Sequence, residues 1–191
     1  KWNNTAKWDF GWIIDDIELK STPSYMLSYY ANDYDFGYID GLSYQSVDEN
    51  GSGQEVTAIP YDGYRFVKWD DENTSATRTD ANVTANAVYT AIFEAITYTL
   101  TYTTDGNGTI AGEAAQTVAE GANGTEVEAI PTTGYHFVKW SDESTANPRT
   151  DLAVTADITV SAVFEINTYT LTYTAGANGS ITGTTTQTVN H

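Results

Sequence analysis

The chain has 191 residues, 13 % of them aromatic and 18 % charged, with a formal net charge of −18 and no cysteine. That much aromatic side chain argues against a disordered tail. The acidity argues against nucleic acid and anionic membrane surfaces as partners, since both are held by Lys and Arg. The missing cysteine removes disulfide and thiolate chemistry, and no run approaches the roughly 20 apolar residues of a membrane span.

In chain order, residues 1–24 match nothing else in the sequence, and from Tyr25 onward the sequence repeats itself. Shifting 55–94 by 71 positions lays EVTAIPYDGYRFVKWDDENTSATRTD on EVEAIPTTGYHFVKWSDESTANPRTD, with 23 of 40 positions identical and no gap. The same shift carries TYTLTYTTDGNGTIAG at 97–112 onto TYTLTYTAGANGSITG at 168–183, with 14 of 24 positions identical up to His191. Upstream, YMLSYY at Tyr25 matches YTLTYT at Tyr98, with two extra residues in the turn that follows. The expected organisation is a preceding segment at 1–24, modules at 25–96 and 97–167, and the opening of a third at 168–191. Because the repeat pattern stops part-way and the chain starts at Lys1, the sequence reads as a piece of a longer polypeptide.

Within the second repeat, Tyr98, Leu100 and Tyr102 alternate with Thr, the period of a half-buried strand. DGNG at 105–108 supplies turn residues that tolerate positive φ and predicts a hairpin. Short strands follow around Ile110 and Gln116–Val118, and then at Val127–Ile130. Pro131 to Gly134 makes a turn into the aromatic strand Tyr135–Trp140. A polar loop then leads to a last strand whose Ile158, Val160, Ala162 and Phe164 share one face. The run around Glu113 is the single tempting helix, but its counterpart TGTTTQTVN at 182–190 is rich in β-branched Thr and argues against one. The fold class is therefore all-β, in tandem modules of about 71 residues. The expected core is Leu100, Val127, Ile130, Phe137, Trp140, Val160 and Phe164, with Trp69 and Phe66 in the first copy.

The order Y-x-L-x-Y strand, NG turn, GYxFVxW and closing A-x-F strand resembles the internalin-B-type B-repeat, or Listeria–Bacteroides repeat, in its divergent form. The resemblance covers 25–191. It implies small β-rich tandem modules in secreted or wall-attached bacterial proteins, with roles in spacing, stalk formation and adhesion and no catalytic residues to transfer. The first repeat departs from the pattern in its Tyr-rich turn YYANDYDFGYIDG. Separately, FGWIIDDIELK at Phe10–Lys20 resembles the closing strand of jelly-roll or choice-of-anchor β-sandwiches, which implies a preceding sandwich. In such sandwiches an acid near this strand sometimes binds calcium, which makes Asp15 and Asp16 the candidate metal ligands.

Enzymatic chemistry finds no support. The two histidines are His136, which is Arg65 in the sister repeat, and the terminal His191. No nucleophile elbow, phosphate loop or zinc spacing occurs. The loops Asp70–Asp80 and Ser141–Asp151 collect oxygen donors of the kind calcium takes, so no cofactor other than calcium is indicated. The competing reading pairs Arg78 and Arg149 with Asp80, Asp151 or a nearby acid. Candidate contact residues are Tyr30, Tyr34, Phe36 and Tyr38 of the odd turn, with Tyr64 and Tyr135 as half-exposed members of the aromatic strands. N-x-[ST] triplets occur at Asn3, Asn73, Asn82, Asn107, Asn123 and Asn178 and signal glycosylation weakly.

These features predict an extracellular, non-enzymatic stalk or fibre segment of a bacterial cell-surface protein. Its partners would be neighbouring repeats or copies of itself, which in a filament would cover open strand edges by strand addition. The alternatives are an adhesin module for a glycan or surface protein, or an accessory region of a secreted hydrolase.

Overall fold

The computed structural model describes residues 22–191, so the candidate metal ligands Asp15 and Asp16 lie outside the described residues. Every regular element described is a strand, and no described helix is long and apolar enough to cross a membrane. The chain divides into two compact units. One joins the chain before Pro60 with Phe66–Ile92, and the other joins Pro60–Arg65 with Phe93–His191.

The first repeat builds β1 (Ser24–Ala31), β2 (Gly37–Asp40), β3 (Tyr44–Asp48), β4 (Val56–Pro60), β5 (Tyr64–Trp69), β6 (Thr77–Arg78) and β7 (Ala87–Ala95). They form one four-stranded sheet in the order β3-β1-β7-β5 and a smaller one in the order β2-β4-β6. The second repeat builds β8 (Thr97–Thr104), β9 (Gly108–Ala111), β10 (Ala115–Ala119), β11 (Glu128–Pro131), β12 (Tyr135–Trp140) and β13 (Ile158–Ile166). Its four-stranded sheet runs β10-β8-β13-β12, the same order in equivalent strands, and β11 pairs with β9 beside it. In both repeats the first and last strands are parallel neighbours, Leu27 facing Ala87 and Leu100 facing Ile158. After these come β14 (Thr168–Thr172) and β15 (Thr186–Asn190), an antiparallel pair equivalent to β8 and β10.

The alternation read from the sequence sets the core. Leu100 and Tyr102 on β8 point inward with Val160, Ala162 and Phe164 on β13, around a fully buried Trp140. Burying each large side chain contributes about 1.5–3 kcal/mol. Phe137 is half-buried and packs on this cluster, and Phe66 is half-buried with its ring 6.0 Å from that of Trp69.

Two expectations are corrected. Ile130 is 45 % exposed, not core. Val127 and Ala129 share the inward parity, and the period of two turns Ile130 outward. The DGNG turn is present, with Gly106 at φ +100°, but it does not close a paired hairpin: β8 pairs with β10 and β13, while β9 crosses to β11. The cause lies in Asp105, whose carboxylate accepts the Phe164 N–H of β13 at 3.0 Å and the Asn107 N–H at 3.0 Å. It thereby takes the position a continuing strand would hold.

Candidate functional site

The sequence brings Trp, Arg, two Asp and Tyr together once in each repeat. Trp69 ends β5 and Trp140 ends β12, where a tight loop folds back on each ring. The indole N–H donates to the Ser75 carbonyl in one repeat and to the Ala146 carbonyl in the other, both at 2.9 Å. The loop turns through Glu72 and Glu143, at φ +70° and +71°, and each carboxylate is gripped by the lysine four residues earlier, Lys68 or Lys139. The loop then returns Arg78 and Arg149 over the ring. Arg78 Cζ lies 4.9 Å from the Trp69 centroid and 3.6 Å from that of Tyr89, and Arg149 Cζ lies 5.1 Å from the Trp140 centroid. At these distances the guanidinium is attracted by the negative ring faces.

Both arginines are buried, so each charge needs a partner. Arg78 donates to Asp80 at 2.6 Å and to Asp71 at 3.0 Å, and Arg149 donates to Asp151 at 2.5 Å and to Asp142 at 3.1 Å. A tyrosine of the first strand closes the group: Tyr29 Oη donates to Asp80 at 2.7 Å, and Tyr102 Oη donates to Asp151 at 2.6 Å. No buried side-chain nitrogen or oxygen among the described residues lacks a partner.

The electrostatics follow from this geometry. Burial pushes the Asp71 and Asp151 carboxyls up, but the hydrogen bonds and charge of their arginines outweigh it and hold both below the usual carboxylate range. Burial, then the bond to Asp80 or Asp151, drives the Tyr29 and Tyr102 phenols well above the ordinary tyrosine value. The buried polar atoms of the group are all partnered, while the Asp71 and Asp142 side chains reach the surface at 38 % and 40 % exposure. The pairing of Arg78 and Arg149 with loop acids is therefore found, with one further acid in each centre, one tyrosine in the second (Tyr102) and two in the first (Tyr29 and Tyr89). Among the described residues no set of three or more His, Asp or Glu side chains is arranged to hold a metal ion.

A second buried polar device escaped the sequence reading. Gln45 donates to the Leu42 and Gln54 carbonyls and accepts the Gln54 N–H; Gln116 does the same with Glu113 and Thr125. The signal was available, since glutamine stands at 45, 116 and 187, each followed two residues on by valine at 47, 118 and 189.

The contact candidates are not gathered into one site. Tyr30 is half-buried, its ring 5.8 Å from that of Tyr44, and Tyr44 Oη donates to Tyr30 Oη at 3.1 Å. Tyr34 and Tyr38 are exposed in the long turn and at β2, and Phe36 is half-buried between them. Tyr64 and Tyr135 are half-buried beside the turn before each aromatic strand. Within the second unit this turn holds the chain that follows. The Gly63 carbonyl accepts the Ile96 N–H and the Ile96 carbonyl accepts the Glu120 N–H; 71 residues on, Gly134, Asn167 and His191 repeat both bonds. His136 Nδ1 lies 2.9 Å from Asn167 Oδ1 at this turn, and in the first copy Arg65 pairs with Glu94.

The family model described as the divergent InlB B-repeat domain matches residues 31–97 and again 98–168, together more than half of the chain. No curated protein matches the chain. A solved structure of streptococcal high identity repeats in tandem, domains 3–4 from a cell surface protein, is similar at 14 % identity and a TM-score of 0.25. The similarity covers 75 % of this chain and 98 % of that one.

Proposed function

The chain belongs to the divergent InlB B-repeat domain family, and from that premise we propose that it is a spacer segment of a bacterial cell-surface protein, with its repeats forming part of an extracellular stalk. The observation that carries this reading is what the repeated residues do. Trp69 and Trp140, with the arginines and acids around them, are the groups most able to grip a ligand, and in both copies they are spent on one another inside the module. A repeat whose shared chemistry is internal offers its neighbours a fold and a length. The brief passage from β7 to β8 and the two backbone bonds recurring at Gly63 and Gly134 support close joining of successive repeats. The proposed location is extracellular, the proposed partners are further repeats, and no catalytic step is assigned.

Small-angle scattering on chains carrying one, two and three added copies of residues 97–167 tests this. A stalk lengthens by a constant increment per copy. A maximum dimension that hardly grows contradicts the reading, as does saturable binding on a glycan array that survives substitution of the residues unique to the first repeat.

A further inference from the structure

The residue that opens a repeat bonds in two directions through its backbone. Ile96 precedes β8 and Asn167 precedes β14. The carbonyl of each accepts an N–H from its own repeat, that of Glu120 or of His191, both at 2.9 Å. The N–H of each reaches back to the turn of the repeat before it, to the Gly63 carbonyl at 2.8 Å and to the Gly134 carbonyl at 2.7 Å. All of these bonds lie within the second unit. The two glycines stand at φ +81° and +88°, a region that glycine enters without strain. Their turns close through the Tyr64 N–H to the Tyr61 carbonyl and the Tyr135 N–H to the Thr132 carbonyl, both at 3.0 Å, and do not use the glycine carbonyl.

In the first repeat the same position is Pro23. It stands four residues before Leu27, as Ile96 stands four before Leu100, and its carbonyl accepts the Glu49 N–H at 2.8 Å. The bond within the repeat is therefore kept. The bond to a preceding repeat cannot form, because proline has no N–H. Proline is tolerated where a strand begins, so the exchange alters the backward bond alone. The side chains around the two junctions differ: Arg65 pairs with Glu94 at the first, and His136 Nδ1 lies 2.9 Å from Asn167 Oδ1 at the second. The backbone bond is what they share. We propose that the glycine turn is the docking surface for the opening of the next repeat, and that Pro23 makes the first repeat the end of the clasped series. The partner that fits the turn is an extended strand start with an N–H at the position of Ile96 and Asn167. Whatever precedes Pro23 is joined without this clasp and swings freely. The proposal rests on the reading of the repeats as a closely joined series.

The chain has no cysteine, so introduced ones can be spin-labelled without background. Ser46→Cys and Thr117→Cys put labels at exposed, equivalent positions of the two repeats. In the full chain, the width of the label-to-label distance distribution, read by double electron–electron resonance, reports how firmly the junction holds. Ile96→Ala keeps the N–H and is expected to keep the parent width. Ile96→Pro removes it and is expected to widen the distribution about twofold or more, with the circular dichroism unchanged. A copy of residues 97–166 inserted directly before Pro23 tests the boundary itself, with labels at the copy's equivalent of Thr117 and at Ser46. The distribution is expected to be broad with Pro23 in place and narrow with Pro23→Asn. The insertion needs no change at Ile96, so it stands if Ile96→Pro fails to fold. Equal widths for Ile96→Ala and Ile96→Pro overturn the proposal, and so does a narrow distribution across the copy with Pro23 in place. Either result leaves intact the constant length increment per added copy, which tests the stalk.

Discussion

At the scale of single residues, the arginine in each centre decides what the conspicuous aromatics are for. A guanidinium buried on an indole would be a costly charge without Asp80 and Asp71, or Asp151 and Asp142, around it. This makes the fold sensitive to pH in a defined direction. Asp71, Asp105 and Asp151 are held below the usual carboxylate range, so the folded state binds fewer protons there than the unfolded chain. Their stabilisation is complete above the unfolded aspartate value and is lost as pH falls below about 4. Tyr29 and Tyr102 act with the opposite sign: their raised values give stability that is present below about pH 10 and lost as pH rises beyond it. Urea midpoints measured from pH 2 to 11 in high salt, which screens the general repulsion of an acidic chain, are expected to fall at both ends. A midpoint flat from pH 5 down to 2 would contradict the assignment of the carboxylates.

At the scale of elements, the strands were readable and their partners were not. Alternation in Tyr98–Tyr102 and Ile158–Phe164 located β8 and β13 and their inward faces, because burial on one side writes a period of two into the sequence. Nothing local says that these two strands, nearly sixty residues apart, lie parallel and adjacent, or that the DGNG turn sends β9 away from β8. Those outcomes rest on long-range bonds such as Asp105 to Phe164. Likewise RTD in each loop announced a paired arginine, but its tyrosine partner sits on a distant strand. The crossing of β9 to β11 leaves space for no side chain at Gly108. A Cβ there would lie 2.4 Å from the Phe164 ring and 2.6 Å from the Ile130 carbonyl. Gly108→Ala is expected to cost about 1–3 kcal/mol by overpacking. Gly176→Ala, where nothing lies within 4 Å, is expected to shift stability by less than about 0.5 kcal/mol. Equal effects in denaturant titrations would refute the close approach.

At the scale of the whole molecule, one sequence pattern appears in complete and partial form, and the comparison shows what completes it. Leu100 and Tyr102 are 0 % and 3 % exposed, whereas their equivalents, Leu171 on β14 and Tyr173 just after it, are 40 % and 47 % exposed beside a strand pair that has no parallel neighbour among the described residues. Appending a copy of residues 121–167 after His191 is expected to bury both side chains and to slow hydrogen exchange along 168–175 to the level of 97–104. Unchanged exchange would mean that the last strand does not organise the module. The motif shared by the repeats packs as a structural core around a clasped arginine. Equilibrium urea unfolding of Arg149→Met tests that most directly, since the change keeps much of the volume and leaves Asp142 and Asp151 without their cation. The expected result is a loss of about 3 kcal/mol or more from the second repeat; a variant that unfolds at the parent midpoint would contradict a core built on the arginine.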